Sequence, residues 1–403
     1  MYQSDHSELL AYGLEVVESG GLKALTLRSL AQKAGVSPSL LNYRFGSRDA
    51  LVARLFEYAQ DLDAQFWRAC GETVASMTLS QDHVPAVSLS IVQTCIQRAR
   101  SLERLRWICS TLGARNPDYL PQAGVWAGLG IDFWTGLLRQ AGADEALGPS
   151  LAAAMAGAIR TGLVAQDNLL VSVWVSDSVL RATERLLHLP LSMQGDSPAR
   201  AQIEALAKAS LSPPPEGRTD TPERILASAA ALILSVGPDT VTHRDIAKHA
   251  GVSLSSLTHH FSSLDEIVRS AFERIYDRAQ HDYEARLPAQ MTVDEFTQTV
   301  LPAMFEESAS RAREATALDE IILCTSRNHD TTPMSSGLMA MIGRTSTAIV
   351  KAMAGEREMD RLDGQIFRFI LIGLSEQAAH LSPPERERHV MGNCETFLTR
   401  WLP

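Results

Sequence analysis

An all-α chain built of two similar halves is what this sequence predicts, and three observations carry the prediction. Apolar residues recur at three- and four-residue spacing through 102–112, 125–140, 150–188, 293–312 and 364–380, the period of a helix with one buried face. No convincing run alternates apolar and polar side chains as a half-buried strand does. The segment 26–52, TLRSLAQKAGVSPSLLNYRFGSRDALV, returns without a gap at 242–268 as THRDIAKHAGVSLSSLTHHFSSLDEIV, an offset of 216 residues. Identical pairs include Thr26/Thr242, Arg28/Arg244, Ala31/Ala247, Gly35/Gly251, Ser37/Ser253, Leu41/Leu257 and Phe45/Phe261. Upstream, Leu9-Leu10-Ala11 matches Ile225-Leu226-Ala227 in phase. Duplication is the simplest account. At 403 residues the chain also exceeds the roughly 250–300 at which a single core stops growing.

The seam between the halves lies in 190–222. There Pro190, Gly195, Pro198, the run Pro213-Pro214-Pro215, Gly217 and Pro222 interrupt helical periodicity everywhere except 199–209. Proline blocks helix continuation and stiffens an exposed connection. The expected partition is a first head over 1–60, a first bundle over 61–212, a linker over 213–221, a second head over 222–277 and a second bundle over 278–403.

The composition, 45% hydrophobic and 21% charged, is an ordinary globular balance. The apolar run 169–175 is far shorter than the ~20 residues of a membrane span. The start, Met1-Tyr2-Gln3-Ser4-Asp5-His6, shows no basic segment leading into an apolar one. The five cysteines are odd in number and form no Cys-x-x-Cys pair, so reduced thiols in a cytoplasmic protein are expected. A net charge of −10 disfavours non-specific attraction to a polyanion. Binding to DNA through a local basic surface would then be selective and salt-sensitive.

Each repeat reads residue by residue as two short helices joined by a tight turn. Thr26 and Thr242 are placed as N-caps, with hydroxyls that accept an orphan backbone N–H. Leu30, Ala31 and Ala34 share one face of the helix that follows, and Gly35 and Gly251 end it in a left-handed conformation. Val36-Ser37 and Val252-Ser253 supply the turn and the next N-cap. Leu41/Leu257 and Phe45/Phe261 point the second helix inward. Its outer face carries Pro38, Ser39, Asn42, Tyr43 and Arg44 in one copy, and Leu254, Ser255, Thr258, His259 and His260 in the other. Ser47 and Ser263 cap a long following helix, and Ser263-Leu264-Asp265-Glu266 has the form of a capping box. A helix, a glycine-bearing turn and a helix with a small, polar, partly aromatic outer face form the geometry that enters a DNA major groove. The alternative, a helical hairpin whose polar residues only face water, is the poorer account of two matching copies. His259-His260 is disfavoured as a metal or pH site, since adjacent residues project to different sides of a helix.

These residues resemble the N-terminal domain of the TetR family. Its signature runs Thr-x-x-x-Ile/Leu-Ala-x-x-Ala-Gly-Val-Ser, then Leu-Tyr-x-His/Tyr-Phe, then Ser-Lys, and the likeness covers 8–60 and 222–277. The resemblance implies two TetR-like units, each a helix-turn-helix domain followed by a helical effector and dimerisation bundle. It implies phosphate contacts from Thr26, Tyr43 and Arg48, with Thr242, His259 and Ser263 as counterparts. Base-edge reading would fall to Ser39, Leu40, Asn42 and Arg44, and to Ser255, Ser256, Thr258 and His260. Arg28, Ser37 and Pro38, with Arg244, Ser253 and Leu254, complete the DNA-facing sets. Phosphate contacts fix register, whereas asparagine can pair bidentately with adenine and arginine with guanine.

Two departures stand out. The signature tyrosine is Asn42 in the first copy and Thr258 in the second. The basic residue opening the long helix is Arg48 in the first copy but Leu264 in the second, so weaker DNA binding is expected of the second head. Relatives usually carry one head per chain. Two heads make either a single-chain pseudo-dimer or, through a homodimer, a four-headed assembly. The implied partners are a double-stranded DNA operator and a small-molecule effector, with repression as the implied action and neither cofactor, metal nor membrane involved.

The first bundle is aromatic-rich: Phe66, Trp67, Trp107, Tyr119, Trp126, Phe133, Trp134 and Trp174. These side chains read either as core packing or as a pocket for an apolar or aromatic effector. The pocket reading assigns Phe66, Trp67, Trp107, Trp126, Phe133 and Trp174 to the ligand. The second bundle offers Met304, Phe305, Met334, Met339, Met341, Phe367 and Phe369, a more pliable lining. Segments 126–138 and 163–174, with Gly128, Gly130 and Gly136, are candidates for the helices that join the halves. No Gly-x-Gly-x-x-Gly, P-loop, Gly-x-Ser-x-Gly or His-Glu-x-x-His occurs, so no enzyme is expected. Glu376 and His380, one turn apart, read as a salt bridge or a solvated face in preference to a metal site.

Overall fold

A computed structural model describes residues 6–164, 168–210, 220–284, 287–302, 308–325, 343–355 and 357–402. Among the described residues the regular elements are helices and none is a strand, as the periodicity predicts. The chain divides into two compact units, Met1–Gly195 together with Ile366–Pro403, and Asp196–Gln365.

The first unit opens with α1 (His6–Ala24), α2 (Leu27–Ala34) and α3 (Pro38–Phe45). The 28-residue α4 (Arg48–Ala75) follows, about 42 Å long at 1.5 Å per residue. It carries the chain from the head into a bundle of α5 (Val84–Arg98), α6 (Arg100–Arg115), α7 (Leu120–Gln140), α8 (Gly148–Val164) and α9 (Leu169–Leu186). α7 packs on α4, α6 and α8. The predicted helix over 150–188 is therefore two, and Asn168 caps the second by accepting the Leu170 N–H at 3.0 Å. One segment, Glu145–Val164, is long and apolar enough to cross a membrane by length and composition. Most of it is buried inside the fold, as a helix apolar on nearly every side must be.

The second unit contains α10 (Pro198–Ser210), α11 (Asp220–Val236), α12 (His243–Ala250), α13 (Leu254–His260) and α14 (Leu264–Glu284). Next come α15 (Val293–Glu295), which runs into a π-helical turn over Phe296–Val300, then α16 (Ser308–Thr325) and α17 (Arg344–Met353). α11 packs on α12 and α14, and α14 on α16 and α17. Most of the predicted linker, and Met304, Phe305, Met334, Met339 and Met341 of the predicted second lining, lie outside the described residues.

The expected second bundle over 278–403 does not stand as one unit, because the chain's last helices close on the first half. α18 (Arg361–Gln377) begins in the second unit and ends in the first, and α19 (Pro383–Trp401) packs on α8 and α9. Phe367, Ile370, Leu374, Cys394, Phe397 and Trp401 are all essentially fully buried there, which gives this closure its hydrophobic drive. Polar contacts fix it. Ser150 Oγ donates to the Asn393 carbonyl at 3.2 Å, Gln377 Nε2 to the Pro149 carbonyl at 3.0 Å, and Arg160 forks onto both oxygens of Glu376. The joint is built mainly on α8 and α9, where the expected segment 163–174 lies, and α7 of the other expected segment touches it at Gly124, whose Cβ would lie 2.4 Å from His380 Cγ. Space around Gly128 and Gly136 of α7 is open, whereas Gly157 of α8 sits hard against Phe369.

Gly35 and Gly251 both end their helices at φ 66°, where a side chain is disfavoured. Nothing lies within 4 Å of a Cβ built on Gly35, so a substitution there costs backbone energy alone. Gly35→Ala is expected to lower stability by about 1–2 kcal/mol, and Gly35→Asn by less. Calorimetric melting checks this, and an unchanged melting temperature for Gly35→Ala contradicts it.

Candidate nucleic-acid interface

The first head is built by local caps on an apolar base. Thr26 and Ser29 form a reciprocal box: the Ser29 N–H donates to Thr26 Oγ1 at 2.9 Å and the Thr26 N–H to Ser29 Oγ at 2.9 Å. Ser37 accepts the Leu40 N–H at 3.2 Å to start α3, Pro38 occupies its first position, and Ser47 accepts the Ala50 N–H at 3.1 Å to start α4. Leu30, Ala31, Leu41 and Phe45 are buried beneath these turns. What remains outward is Thr26, Arg28, Ser37, Pro38, Ser39, Asn42 and Tyr43, with Leu40 and Arg44 half-buried. Tyr43 is 89% exposed, a large ring held in water with no core to fill.

The second head repeats this burial pattern except that Asp245 is more exposed than Ser29 and Ala250 more buried than Ala34. Asp245 takes the place of Ser29, accepting the Thr242 N–H at 3.2 Å while its own N–H donates to Thr242 Oγ1 at 3.3 Å. Ser253 accepts the Ser256 N–H at 3.0 Å, and Leu257 and Phe261 are buried. Thr242, Arg244, Ser253, Leu254, Ser255, Thr258, His259 and Ser263 face outward, with Ser256 and His260 half-buried. The Thr258 hydroxyl donates to the Leu254 carbonyl at 3.1 Å, which leaves its oxygen as an acceptor. Ser263 caps α14 through the Glu266 N–H at 3.1 Å, but Glu266 turns to the Ser262 N–H at 2.7 Å instead of completing the box. The His259 and His260 ring centroids are 5.2 Å apart, and no group of three or more metal-binding side chains is placed together among the described residues.

A family model for bacterial regulatory proteins of the tetR family matches residues 9–55 and 225–271. The chain carries two tandem tetR-family DNA-binding domains. Both ends of the two matches are separated by the same 216 residues as the repeat. No curated protein matches the chain in sequence. Domains of this type mark a family of DNA-binding transcriptional regulators, and the two outward faces are where the heads present polar, aromatic and basic side chains.

Two features of this regulator's heads were not legible in its sequence. Arg48 was expected at a phosphate, yet its Nε donates to the Leu25 carbonyl at 2.9 Å and its Nη2 to the Leu22 carbonyl at 2.8 Å. It therefore braces the end of α1 against the start of α4. Leu264 has no such reach, and in the second head Arg224 of α11 does a comparable job, donating to the Ala250 carbonyl at 2.6 Å where α12 ends.

The aromatic residues of the first unit separate into cleft and core. A cleft of about 400 Å³ opens between α4 and α7, lined by Ala64, Trp67, Arg68, Gly71, Val74, Leu129, Asp132, Phe133, Gly136, Leu137 and Gln140. Trp67 and Phe133 of the predicted ligand set line it, with ring centroids 4.8 Å apart. Phe66, Trp107, Trp126 and Trp174 do not, and the three tryptophans are buried in the core.

Beneath the cleft lies a buried carboxylate that sequence reasoning missed. Trp67 Nε1 and Trp126 Nε1 both donate to Asp63 Oδ2, at 3.1 and 2.7 Å, and so tie α4 to α7. Burial, and after it the nearby Glu103 carboxylate, raise the Asp63 pKa to about 7 against the pull of Arg106 and the two indoles. Burial works against the Arg106 guanidinium, yet Glu103 and Asp63 together raise it. The same α6 reaches the head, for Arg100 Nε and Ser101 Oγ hold the two oxygens of Glu18 on α1 at 2.8 and 2.6 Å.

Three outcomes follow for binding. Arg44→Ala and Asn42→Ala should each weaken operator binding by roughly 1–3 kcal/mol and relax base choice in one half-site. Arg48→Ala should lower the melting temperature of the DNA-free protein as well as its DNA affinity, while Leu264→Ala leaves the salt slope unchanged. Gel-shift titrations over a salt series, beside melting curves, check all three. Unchanged operator affinity in the first two variants contradicts the assignment of the reading face.

A separate outcome concerns pH. A carboxyl whose folded pKa is raised keeps its proton in the native state while the unfolded chain ionises. Asp63 therefore lowers stability progressively as pH rises from about 4 to about 7, and the loss is complete above that window. Asp63→Asn keeps an acceptor for both indoles and should flatten this slope. Melting temperatures across the window that fall equally in both proteins would remove Asp63 as the cause.

Proposed function

We propose that one chain acts as a pseudo-dimer: a cytoplasmic repressor whose two heads read an asymmetric operator and whose first unit holds an apolar or aromatic effector. The observation that carries this reading is the closure of α18 and α19 on α8 and α9, which engages the end of one repeat with the bundle of the other inside a single compact unit. The DNA-facing residues of the heads extend the argument. Asn42-Tyr43-Arg44 meets one half-site and Thr258-His259-His260 the other, so mirror symmetry of the operator has no physical cause. Groove geometry still sets the half-site separation at about 34–36 Å or a multiple of it.

Effector control rests on α4. This helix starts one turn after α3 and ends in the cleft, so a ligand against Trp67 and Phe133 bears on the same rigid element that carries the reading head. The cleft's volume of about 400 Å³ suits a small molecule. Its lining is mostly apolar, with Arg68, Asp132 and Gln140 at hand to orient a polar end. A ligand shifts the head only by its difference in affinity between the DNA-bound and released states.

DNA selected from a random pool tests the reading. Two unlike half-sites one or more helical turns apart support it, and a perfect palindrome would favour the four-headed homodimer. The inducing effector should also change intrinsic tryptophan fluorescence, and most of that change should vanish in Trp67→Phe. An inducer that releases DNA with the same fluorescence response in Trp67→Phe places the effector elsewhere.

A further inference from the structure

Residues that face each other between α8–α9 and α18–α19 hold equivalent places in the two repeats. Arg160 pairs with Glu376, 216 residues on, which is the repeat offset itself, with Nη2 to Oε2 at 2.6 Å. Arg185 lies over the ring of Trp401 at 5.4 Å from its centroid, and these two are again one offset apart. A third relation is reciprocal. A Cβ on Gly157 would lie 2.3 Å from Phe369 Cγ, and one on Gly373 would lie 2.5 Å from the Ala153 Cβ. Gly373 is the counterpart of Gly157, and Phe369 that of Ala153. The joint therefore has an approximate two-fold symmetry, broken in chemistry at the positions that would meet themselves.

We infer that this joint is a one-way code: each half can pair with the other half, but neither can pair with its own kind from another chain. The inference rests on the pseudo-dimer reading and says what enforces it. Pairing two first halves would bring Arg160 onto Arg160 and Arg185 onto Arg185. It would also leave a hole at both crossings, because Gly157 would meet the small Ala153 where it now meets Phe369. Pairing two second halves would set Glu376 against Glu376 and press Phe369 against Gly373 at both crossings, where the backbones now approach closely enough to take only Ala153. Like charges held in contact and partly buried are costly, and both overpacking and cavities destabilise a helix interface. Only the unlike pairing matches charge and conserves volume, with one Phe and one Ala across the pair of glycines. The occupant of this surface is thus the chain's own other half, and the covalent link raises its local concentration above that of any free chain.

The test uses the full chain. Arg160→Gln, Glu376→Gln and the double variant form a cycle read by melting temperature and by hydrogen exchange of α19. The code predicts that the double variant loses clearly less than the sum of the single losses. Arg160→Glu and Glu376→Arg should each cost more than the glutamine changes, and their combination should recover most of the loss. A second arm moves the bulk across the axis: Phe369→Ala and Ala153→Phe together should melt closer to wild type than either alone, with light scattering giving one chain throughout. Strictly additive losses in both arms overturn the code even if the wild-type protein is one chain. A wild-type protein found as two chains, with the charge cycle still coupled, keeps the unlike pairing but moves it between chains, and then the single-chain reading is what fails.

Discussion

Arg160 and Glu376 lie 216 residues apart, the offset at which the heads repeat, and each is the other's partner. Their contact requires the end of the chain to return to the middle of its first half, and much else follows from that return. It removes Ile366–Pro403 from the second compact unit and adds them to the first. It buries Phe397 and Trp401, the latter beneath Arg185, and it completes the cover of α8, a helix too apolar to leave open. An ion pair in partial burial gains little net stability over a hydrophobic pair of the same shape, but loss of one partner is costly. Its contribution is therefore mainly to decide which helices meet.

A second constraint runs perpendicular to the first, from cleft to head. α4 carries the Ser47 cap beside the reading helix at one end and Trp67, Gly71 and Val74 at the other. Asp63 fastens its middle to α7 through the Trp126 indole, with the Trp67 indole of α4 donating to the same oxygen, and Glu18 fastens α1 to α6. Parting α4 from α7 would cost the buried Asp63 carboxyl its Trp126 donor. The effector control proposed above uses α4 as the one element that links the cleft to the head.

How much of this was written in the sequence depends on how far apart the interacting residues lie. The heads were legible because their chemistry is local: a cap three residues from its N–H, a left-handed glycine, and apolar side chains one turn apart. Every residue that spacing placed on the outer face of the second helices lies exposed or half-buried, and Leu41, Phe45, Leu257 and Phe261 point inward as expected. The brace that Arg48 forms was not legible, because a basic residue at a helix start carries no mark of the carbonyls of Leu22 and Leu25, more than twenty residues earlier in the chain. The cleft was only half legible. Aromatic content pointed to the half of the chain in which this cleft lies, but small residues such as Ala64 and Gly71 make the opening, while Trp107 and Trp174 fill the core. Asp63 gave no signal, since its second indole partner is 63 residues away. The joint was half legible: 163–174 runs into α9, on which α19 packs, but Gly157 of α8, which touches Phe369, gave no signal beside the glycines of α7.

The central claim is that one chain does what two identical chains would otherwise do. Measuring the mass of the complex between the full chain and its selected operator, over a wide range of dilution, tests it most directly. One chain per operator at every concentration, with affinity that does not fall away on dilution, is the predicted result. Two chains per operator, separating as the protein is diluted, would contradict it.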